Sequence, residues 1–551
     1  MIKKASYFLA LAVFLSVSAF KGGEKPAGYD IVIYGATSGG IAAAIQGSRM
    51  GKRILLIAPS QRIGGLTTGG LGATDIGNKV AIGGISREFY QHIKKYYEND
   101  SRWKWQDRAE YMEGKQERTG EGEDAMWTFE PSAALQVFKD MIAEENIELV
   151  SGERLNRESG VKKKGTKITR ITMESGKSYQ GKVFIDATYE GDLMAAAGVS
   201  YTVGRESNEM YGETLNGIYM AEYRQRSGYH QFPDGVSPYK IPGKPESGLL
   251  WGISPDSLEA KGTGDKKVQA YNFRICLTDN PGNRLPITRP EGYDPQKYEL
   301  LARLLAAQPS LRKINDYFIW THMPNGKTDI NNRGGFSTDM IGMNYLWPEA
   351  SYEEREQIFR EHMSYTKGLL YFMKTDPRVP ANLREFISSW GYPKDEYIRT
   401  DHFTPQLYVR EGRRMIGEYV MTEHNCRGKE VVEDPVGLGA YNMDSHNCQR
   451  IVVNGMVKNE GNVEVGVPGP YPVSYRSITP KRSECSNLLV PVCLSSSHIA
   501  YGSIRMEPVF MVLGQSAATA ASLAIDGRSS VQEVDYEKLR TTLLEDKQRL
   551  K

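Results

Sequence analysis

Two short apolar runs enclose a glycine-bearing, small-residue segment near the start of the chain. Residues 31–34 read IVIY and residues 54–57 read ILLI, and both runs have the length and uninterrupted apolar character of buried parallel strands. Between them, GATSGG is followed by a row of alanines, which predicts a turn and a thin helix that ends at Gly51. The order strand, turn, helix, strand predicts a β-α-β unit of about thirty residues.

The turn of this unit suits close approach to a phosphate. Gly35 permits the tight turn out of the first strand, and Gly39 and Gly40 remove side chains where backbone N–H groups and the helix dipole would hold a pyrophosphate. Two positions depart from the usual GxGxxG fingerprint: Thr37 replaces the middle glycine, and Ala58 stands where an acidic residue usually binds the adenosine ribose. The pattern predicts a dinucleotide-binding unit; a glycine turn used for packing alone is the alternative.

Further elements follow with recognisable periodicity. Residues 84–98 and 131–145 predict helices, and 166–180 predict a small antiparallel hairpin. Residues 182–188 predict another buried strand that ends in polar residues, with a helix following at 193–197. Because functional groups of open parallel sheets lie at the carboxyl ends of strands, this strand end is a candidate site.

The middle of the chain has a different character. It is rich in Pro, Gly, Tyr and Trp, and helices such as 295–307 and 351–373 interrupt long polar loops. Strand character returns at 487–492, before a small-residue helix that includes Gly514. We therefore predict an α/β fold, in which a Rossmann-like nucleotide-binding domain carries an inserted α+β substrate domain. The predicted boundaries are 1–19 for a signal peptide, 28–200 and 481–530 for the two parts of the nucleotide-binding domain, 201–480 for the substrate or cap domain, and 531–551 for a C-terminal helix.

The N-terminus and the charge balance narrow the function classes. Lys3 and Lys4 precede an apolar segment, and small residues at 17–19 suit cleavage, which predicts a Sec-type signal peptide and a periplasmic or secreted protein. A retained N-terminal membrane segment is the alternative. Without residues 1–19, which hold two lysines and no acid, 67 basic residues balance 67 acidic ones. The chain without its signal peptide is thus formally neutral, which argues against nucleic-acid binding.

Cysteines and histidines raise two smaller hypotheses. Five cysteines in so long a chain do not make a disulfide scaffold, and at least one must be free or paired outside the chain. His424-Asn425-Cys426 and His446-Asn447-Cys448 form a pair of HNC triplets that offers a zinc site or a Cys426–Cys448 disulfide. The spacing is unlike common zinc motifs, so no metal is predicted.

Several segments together resemble the FAD-dependent oxidoreductases of the glutathione-reductase-like flavoprotein superfamily. Within it, the chain is similar to an exported bacterial group whose members are often labelled xanthan lyases. The segments that carry the resemblance are GATSGGIAAA, RIGGLTTGGLGATD, VFIDATYEGDLMAAAG, YVREGRRMIGEYVMTEH, YNMDSHNCQR and PYPVSYRSITPKRSECSNLLVPVCLSSSHIAYGSIRMEPVFMVLGQSAATAA. They span nearly the whole mature chain, and the resemblance implies an FAD-binding domain with FAD as the cofactor.

The resemblance also implies which positions hold that cofactor. The first glycine turn would contact the FAD pyrophosphate, the second glycine motif would run beside the flavin part, and the strand end after 182 would close over the dinucleotide. A C-terminal helix would direct its N-terminus at the isoalloxazine, where it stabilises negative charge on the reduced ring. The implied cofactor-binding residues are Gly35, Thr37, Ser38, Gly39, Gly40, Gly64, Gly65, Leu66, Thr67, Asp186, Ala187, Thr188, Gly514 and Gln515.

With flavin chemistry, the protein supplies a base, an orienting cation and a pocket. His446 is the candidate base, because imidazole titrates near neutral pH; a structural histidine is the alternative. On a helix, Arg410, Arg413 and Arg414 would share a face that binds a carboxylate or polyol, or that forms a buried support with Glu411. Further candidate pocket residues are Tyr475 with Arg476, and Arg505 with Glu507.

We therefore expect a flavoenzyme that oxidises or reduces a small polar, carbohydrate-derived molecule by hydride transfer. A flavin-dependent reductase of an unsaturated carboxylate is the nearest alternative. A polysaccharide lyase, which does not need a dinucleotide cradle, and a non-catalytic flavin-binding protein are alternatives from other classes. The expected partners are a small-molecule substrate and an electron donor or acceptor that the sequence does not identify. Nucleic acid is not among them, and membrane contact is expected only through a retained N-terminal segment.

Overall fold

A computed structural model describes residues 28–114, 116, 118–120, 122–220 and 230–551 of the chain. The predicted signal peptide at 1–19 lies outside the described residues. Export and the alternative of a retained N-terminal segment therefore stay predictions.

The described chain folds into strands and helices that alternate over its first two hundred residues and again near its end. The strands are β1 (Tyr29–Tyr34), β2 (Ile54–Ala58), β3 (Ile147–Ser151), β4 (Val161–Lys164), β5 (Lys167–Thr172), β6 (Ser178–Asp186), β7 (Tyr201–Thr202), β8 (Arg284–Pro286), β9 (Phe318–Met323), β10 (Lys327–Asn332), β11 (Gly391–Pro393), β12 (Arg414–Met415), β13 (Pro435–Gly439), β14 (Met443–Ser445), β15 (Gln449–Val453), β16 (Met456–Glu460), β17 (Val463–Val465), β18 (Tyr471–Ser474) and β19 (Leu488–Leu489). The α-helices are α1 (Ser38–Arg49), α2 (Gly65–Thr68), α3 (Gly84–Glu98), α4 (Arg108–Gly114), α5 (Pro131–Ala143), α6 (Asp192–Ala196), α7 (Asn208–Tyr211), α8 (Glu299–Ala307), α9 (Tyr352–Thr375), α10 (Ala381–Ser388), α11 (Glu423–Cys426), α12 (His498–Ile504), α13 (Glu507–Gly527) and α14 (Tyr536–Glu545).

A seven-stranded sheet forms the centre of the nucleotide-binding part. Its spatial order is β3-β2-β1-β6-β5-β4, and β19 pairs with the carboxyl half of β6. The pairs among β3, β2, β1, β6 and β19 are parallel, whereas β4, β5 and the start of β6 form an antiparallel meander. The predicted β-α-β unit, the hairpin and the Rossmann-like α/β fold are confirmed.

Two helices pack against each other beneath the first glycine turn. α1 lies along α13, and both carry small residues at the contact. A Cβ atom on Gly514 would lie 2.0 Å from the carbonyl oxygen of Gly39, so only glycine permits this approach. Among the described helices, only α13 has the length and hydropathy of a membrane span, and its burial in the protein is that of a core helix. α13 begins at Glu507, so Gly514 and Gln515 lie within the helix and not at its N-terminus.

The segment from 201 to 480 contains two-stranded sheets and helices with long connections between them. α8 and α9 confirm the helices predicted at 295–307 and 351–373, with a 3-10 turn at Pro295–Tyr298 before α8. The prediction of a helix around Arg410 to Arg414 is wrong, because this stretch is extended and ends in β12, where each arginine reaches a different carboxylate. The proposed division into domains stays a prediction.

Acidification should destabilise the fold through His362, which is buried in α9. Burial lowers its pKa to about 4 from an ordinary value of 6.5. Between these values only the unfolded chain binds the proton, so stability falls as the pH drops from 6.5 to 4, by about 3 kcal/mol in total. Urea unfolding across this range should show the loss, and His362→Phe should remove this part of the pH dependence. His92→Gln, on α3, is the matched control and should leave the slope unchanged.

Candidate functional site

The first glycine turn is fixed by Thr37, the residue that departs from the usual fingerprint. Thr37 is the N-cap of α1: its hydroxyl accepts from the Gly40 N–H at 3.2 Å and donates to the Ala187 carbonyl at 2.7 Å. Gly35 has a φ of +108°, and a Cβ there would lie 2.6 Å from the carbonyl carbon of Ala187. The threonine thus ties the turn to the end of β6, a task that glycine at this position could not perform.

A groove opens in front of this turn and has the chemistry of a diphosphate site. Its cavity of about 160 Å³ lies between the turn, the end of β2 and the segment 188–190. Directly after the lining residue Thr37, the first-turn N–H groups of Ser38 and Gly39 have no acceptor within the helix. Arg62 adds a cation to the lining, and Glu190 adds a carboxyl group whose pKa is raised by burial. The free N–H groups and the cation fit a dinucleotide diphosphate. Because whole-ligand pockets measure about 300–1,000 Å³, this cavity accounts for the diphosphate part only.

Polar residues at the carboxyl end of β6 stabilise the loop that borders the groove. The buried carboxylate of Asp186 accepts from the N–H and hydroxyl of Thr188, at 3.0 and 2.7 Å, and from the Met194 N–H at 2.8 Å. Burial raises the pKa of Asp186 to about 6, against the effect of these donors. Of the three residues predicted here, Asp186 therefore shapes the loop, whereas Thr188 borders the cavity and Ala187 holds Thr37.

Glu507 joins the two glycine motifs. One of its oxygens accepts from the hydroxyls of Ser38 and Thr67, at 2.5 and 2.8 Å, and the other accepts from the Tyr189 hydroxyl at 2.7 Å. Ser38 opens α1, Thr67 belongs to α2 in the second glycine motif, and the Tyr189 hydroxyl also accepts from the Leu66 N–H. Burial raises the pKa of Glu507, although all three hydroxyls oppose the shift. The first turn of α13 thus holds both glycine motifs in place.

Removing the Glu507 carboxylate should destabilise the two glycine motifs. In Glu507→Ala, three buried hydroxyls lose an acceptor, and each unsatisfied group costs about 1–3 kcal/mol. We expect the free energy of unfolding to fall by at least about 2 kcal/mol and FAD to bind about tenfold more weakly, measured by urea unfolding and by flavin titration. Glu537→Ala removes an exposed carboxylate from the first turn of α14 and should change neither value.

A second cluster surrounds His446 and brings together three of the predicted catalytic residues. His446 Nδ1 lies 2.9 Å from Asp339 Oδ2, and Arg410 Nη2 lies 2.9 Å from the other oxygen of Asp339. His446 Nε2 lies 3.6 Å from Asp444 Oδ2, and Arg505 Nη2 is 3.4 Å from that same oxygen. His446, Arg410 and Arg505 therefore meet through two carboxylates.

The charges of the cluster stabilise one another. Burial would raise the pKa of Asp339 and of Asp444, but the neighbouring arginines and His446 outweigh it and hold both pKa values below the usual range. Burial lowers the pKa of Arg410, and the guanidinium stacks on the Tyr408 ring at 4.6 Å. The Tyr408 hydroxyl accepts from Arg505 at 2.8 Å. Both aspartates are thus held as carboxylates around the imidazole.

Imidazole and carboxylate groups, and not the arginines, form the accessible face of the cluster. Arg410 and Arg505 are 0% and 1% exposed at their side chains, whereas His446 and Asp444 are 10% and 19% exposed. Glu464 stands directly opposite Asp444 in the β14–β17 pair and is 34% exposed. Each carboxylate also has a partner: Glu464 lies 3.4 Å from His230 Nε2, and Asp444 contacts His446 and Arg505.

The second glycine motif leads from the groove to this cluster. Beyond α2, the Ala73 N–H donates to Asp329 at 2.9 Å, and Asp75 lies 3.2 Å from Arg274. The pKa of the Tyr441 hydroxyl is raised, mainly by the negative charge of Asp75. The negative charge of Asp444 raises it further. Arg505, which binds Asp444, lies two residues before the start of α13. The segment after the second glycine motif and the start of α13 are thus both connected to the His446 cluster.

The other predicted site residues lie elsewhere. Arg413 binds Asp192 and Glu349, each at 2.9 Å, and the Tyr475 hydroxyl donates to the Val531 carbonyl. Gly514 packs against α1. Gln515 accepts a hydrogen bond from the Ile85 N–H, and Arg414 binds Glu206 and Glu411. Arg476 pairs with Asp434 near the surface.

The metal and disulfide hypotheses find no arrangement to support them. All five cysteines are buried and free. His424 contacts the Tyr211 carbonyl, whereas His446 contacts Asp339. Within the described ranges, no group of three or more His, Cys, Asp or Glu side chains is placed to hold a metal ion.

Sequence reasoning missed Asp339, Asp444, Tyr408 and Asp75. Asp444 carried a usable signal, because it precedes His446 by two positions in an extended segment and so projects to the same side. Asp75 follows the second glycine motif directly. Asp339 carries no local signal, since it comes from a loop more than a hundred residues before His446.

One protein family matches nearly the whole described chain. The family model of the FAD dependent oxidoreductases matches residues 30–543. A comparison with curated proteins found no match. Among solved structures, the anhydrotetracycline hydroxylase OxyS from Streptomyces rimosus is 12% identical with a TM-score of 0.23, over 37% of this chain and 41% of its own. The thioredoxin reductase of T. acidophilum is 15% identical with a TM-score of 0.17, over 34% of this chain and 41% of its own.

These two enzymes are matched over less than half of their own lengths, so the assignment rests on the family match across the described chain. The glycine turn, the second glycine motif and the diphosphate groove are the parts that such a cofactor requires. The chain belongs to the FAD dependent oxidoreductase family, an enzyme family that uses FAD as its cofactor.

Proposed function

We propose that this oxidoreductase oxidises or reduces a hydroxyl-bearing carbon of a small, carbohydrate-derived substrate by hydride transfer. The observation that carries the proposal is the orientation of His446. Its Nδ1 is held 2.9 Å from Asp339, which leaves Nε2 directed at the accessible side of the cluster, near Asp444. An imidazole fixed in this way accepts or returns a hydroxyl proton at Nε2.

The neighbouring residues support that proton transfer. FAD, when bound, supplies the acceptor or donor of the hydride. Asp339 keeps the Nδ1 proton in place and stabilises the imidazolium that forms when Nε2 takes a proton. Arg410 lies at the other carboxylate oxygen of Asp339 and balances its negative charge. The imidazole therefore contacts an ion pair and not an isolated carboxylate. The diphosphate would be held by the amides of Ser38 and Gly39 at the start of α1, next to the groove that Thr37 and Arg62 line.

The accessible carboxylates favour a polyhydroxylated substrate over an anionic one. The carboxylates of Asp444 and Glu464 lie on one face of the β14–β17 pair. Carboxylates accept hydrogen bonds, and the neighbouring hydroxyl groups of a sugar donate them. An anionic substrate would meet these carboxylates before either arginine. Because Arg410 and Arg505 are almost completely buried, they support the face from beneath it.

One observation favours the second candidate, a reductase of an unsaturated carboxylate. The Nε atoms of both Arg410 and Arg505 are buried and have no hydrogen-bond partner among the described residues. Two arginine donors without partners could be satisfied by a substrate carboxylate that displaced Tyr408 or Asp444 from between them.

Anaerobic flavin titration separates the candidates. The FAD-loaded protein is mixed with neutral aldoses and polyols, with uronic acids, and, after reduction, with short unsaturated acids. The proposal expects bleaching of the oxidised flavin by neutral sugars or polyols. Reoxidation by unsaturated acids alone would favour the second candidate. Release of unsaturated oligosaccharide by protein stripped of FAD would indicate a lyase instead.

We also propose that the enzyme is exported to the periplasm or secreted. The support is the N-terminal sequence, in which two lysines precede an apolar segment and small residues at 17–19. N-terminal sequencing of protein recovered from periplasm should begin after residue 19, whereas protein that retains residues 1–19 in the cytoplasm would contradict this proposal.

A further inference from the structure

Beneath the His446 cluster lies a second hydrogen-bonded chain, formed by Ser445, His498 and Glu411. The Ser445 hydroxyl is 2.9 Å from His498 Nε2, and His498 Nδ1 is 2.7 Å from Glu411 Oε2. With Nδ1–H donating to the carboxylate, Nε2 accepts from the serine hydroxyl. Serine, histidine and glutamate are joined in the order found in hydrolase triads.

This triad has no access to a substrate. Ser445 and Glu411 are 0% exposed and His498 is 2% exposed. A nucleophile must reach the reacting atom, so the geometry assigns the triad no covalent chemistry. A fully satisfied buried polar network of this kind fixes the backbone that carries it.

The backbone in question is the one that presents His446. Ser445 lies between Asp444 and His446, and alternation along the extended chain directs its side chain away from theirs. Gln269 makes a second connection: its Nε2 donates to Glu411 Oε2 at 2.9 Å, and its Oε1 accepts from the His446 N–H at 3.2 Å. Glu411 thus anchors the His446 backbone by two separate routes.

Glu411 is itself firmly held as a carboxylate. Arg414 donates to its other oxygen at 2.8 Å. Burial would raise the pKa of Glu411, but Arg414 and the hydrogen bonds from His498 and Gln269 outweigh it and lower the pKa to about 2. The His498 N–H donates to Glu206 at 2.9 Å, and Glu206 also binds Arg414. The anchor therefore carries a fixed negative charge at every pH at which the enzyme would work.

We propose that Ser445, His498 and Glu411 are positioning residues that fix the orientation of the His446 imidazole for proton transfer. The inference rests on the proposed role of His446. Without the Ser445 hydroxyl, His498 Nε2 would lose its hydrogen-bond donor. β14 would then no longer be held in place by this contact. Small displacements of a reacting group lower the turnover rate strongly while leaving substrate binding almost unchanged.

The test uses Ser445→Ala in the FAD-loaded full chain, with a sugar or polyol that reduces the flavin as substrate. We expect kcat to fall about 10- to 100-fold, with KM and FAD affinity changed by less than about twofold. In a His446→Gln background the same substitution should have no further effect on kcat, because the two residues act through one group. Ser477→Ala, which removes a buried hydroxyl bonded to the Ser474 carbonyl, is the matched control.

A second measurement is independent of the substrate and therefore of the proposed function. The ring resonances of His446, assigned by comparison with His446→Gln in protein with labelled histidine, should move or broaden in Ser445→Ala and in Glu411→Gln but not in Ser477→Ala. Unchanged His446 resonances in both variants would overturn the proposal. Equal loss of FAD binding and of stability without a specific change in kcat or in these resonances would also overturn it.

Discussion

Replacing His446 with glutamine is expected to lower kcat by about 10²- to 10⁴-fold, the contribution of a positioned general acid or base. Glutamine can retain a hydrogen bond to Asp339 but cannot accept a proton near neutral pH. FAD binding should not change, because His446 makes no contact with the glycine turn or with Glu507 in the described structure. Stopped-flow reduction of the bound flavin by the sugar or polyol substrate measures the effect.

Tyr475→Phe provides the comparison for this result. It removes a buried hydroxyl that donates to the Val531 carbonyl, outside the His446 cluster, and the rate of flavin reduction should stay within about twofold of the parent. Equal loss of rate in both variants, or full activity in His446→Gln, would remove His446 from the mechanism and would return Tyr475 to consideration as a catalytic residue.

Replacing Gly514 with alanine should have the largest effect on the cofactor cradle. The new Cβ would lie 2.0 Å from the Gly39 carbonyl oxygen, and the backbone of α1 cannot move aside as a side-chain end could. Overpacking of this kind costs about 1–3 kcal/mol, and it acts on the second residue of α1, among the amides that we propose hold the diphosphate. We expect FAD to bind about 10- to 100-fold more weakly.

The matched variant is Gly527→Ala at the end of the same helix. There the nearest atom to a new Cβ is the Ser529 hydroxyl oxygen at 3.7 Å, an ordinary contact, so flavin affinity should not change. Fluorescence titration of the FAD-free proteins measures both affinities. If Gly514→Ala binds FAD as tightly as Gly527→Ala, the close contact of α1 and α13 is not what shapes the diphosphate site.

Local sequence patterns predicted the nucleotide-binding part well. The apolar runs at β1 and β2 and the glycine turn are neighbours along the chain, so short-range periodicity determines the β-α-β unit. The role of Thr37 could not be predicted, because its partner, the Ala187 carbonyl, lies directly after β6, far along the sequence.

The His446 cluster was predicted only in part, for a related reason. His446, Arg410 and Arg505 were chosen as residue types that suit the chemistry, yet Asp339 and Tyr408, which orient two of them, carry no local pattern. Arg413 lies apart from this cluster, because the segment is not the helix that periodicity predicted and its side chain binds Asp192. Long-range pairing of charges decides such sites, and a single sequence does not contain it.

The absorbance spectrum of the purified protein, before and after titration with FAD, tests the central claim most directly. The amides at the start of α1, closed by Thr37 and by Glu507, should retain flavin, so the protein should be yellow or should become so with stoichiometric FAD. Folded protein that is colourless and does not bind added FAD would contradict the claim.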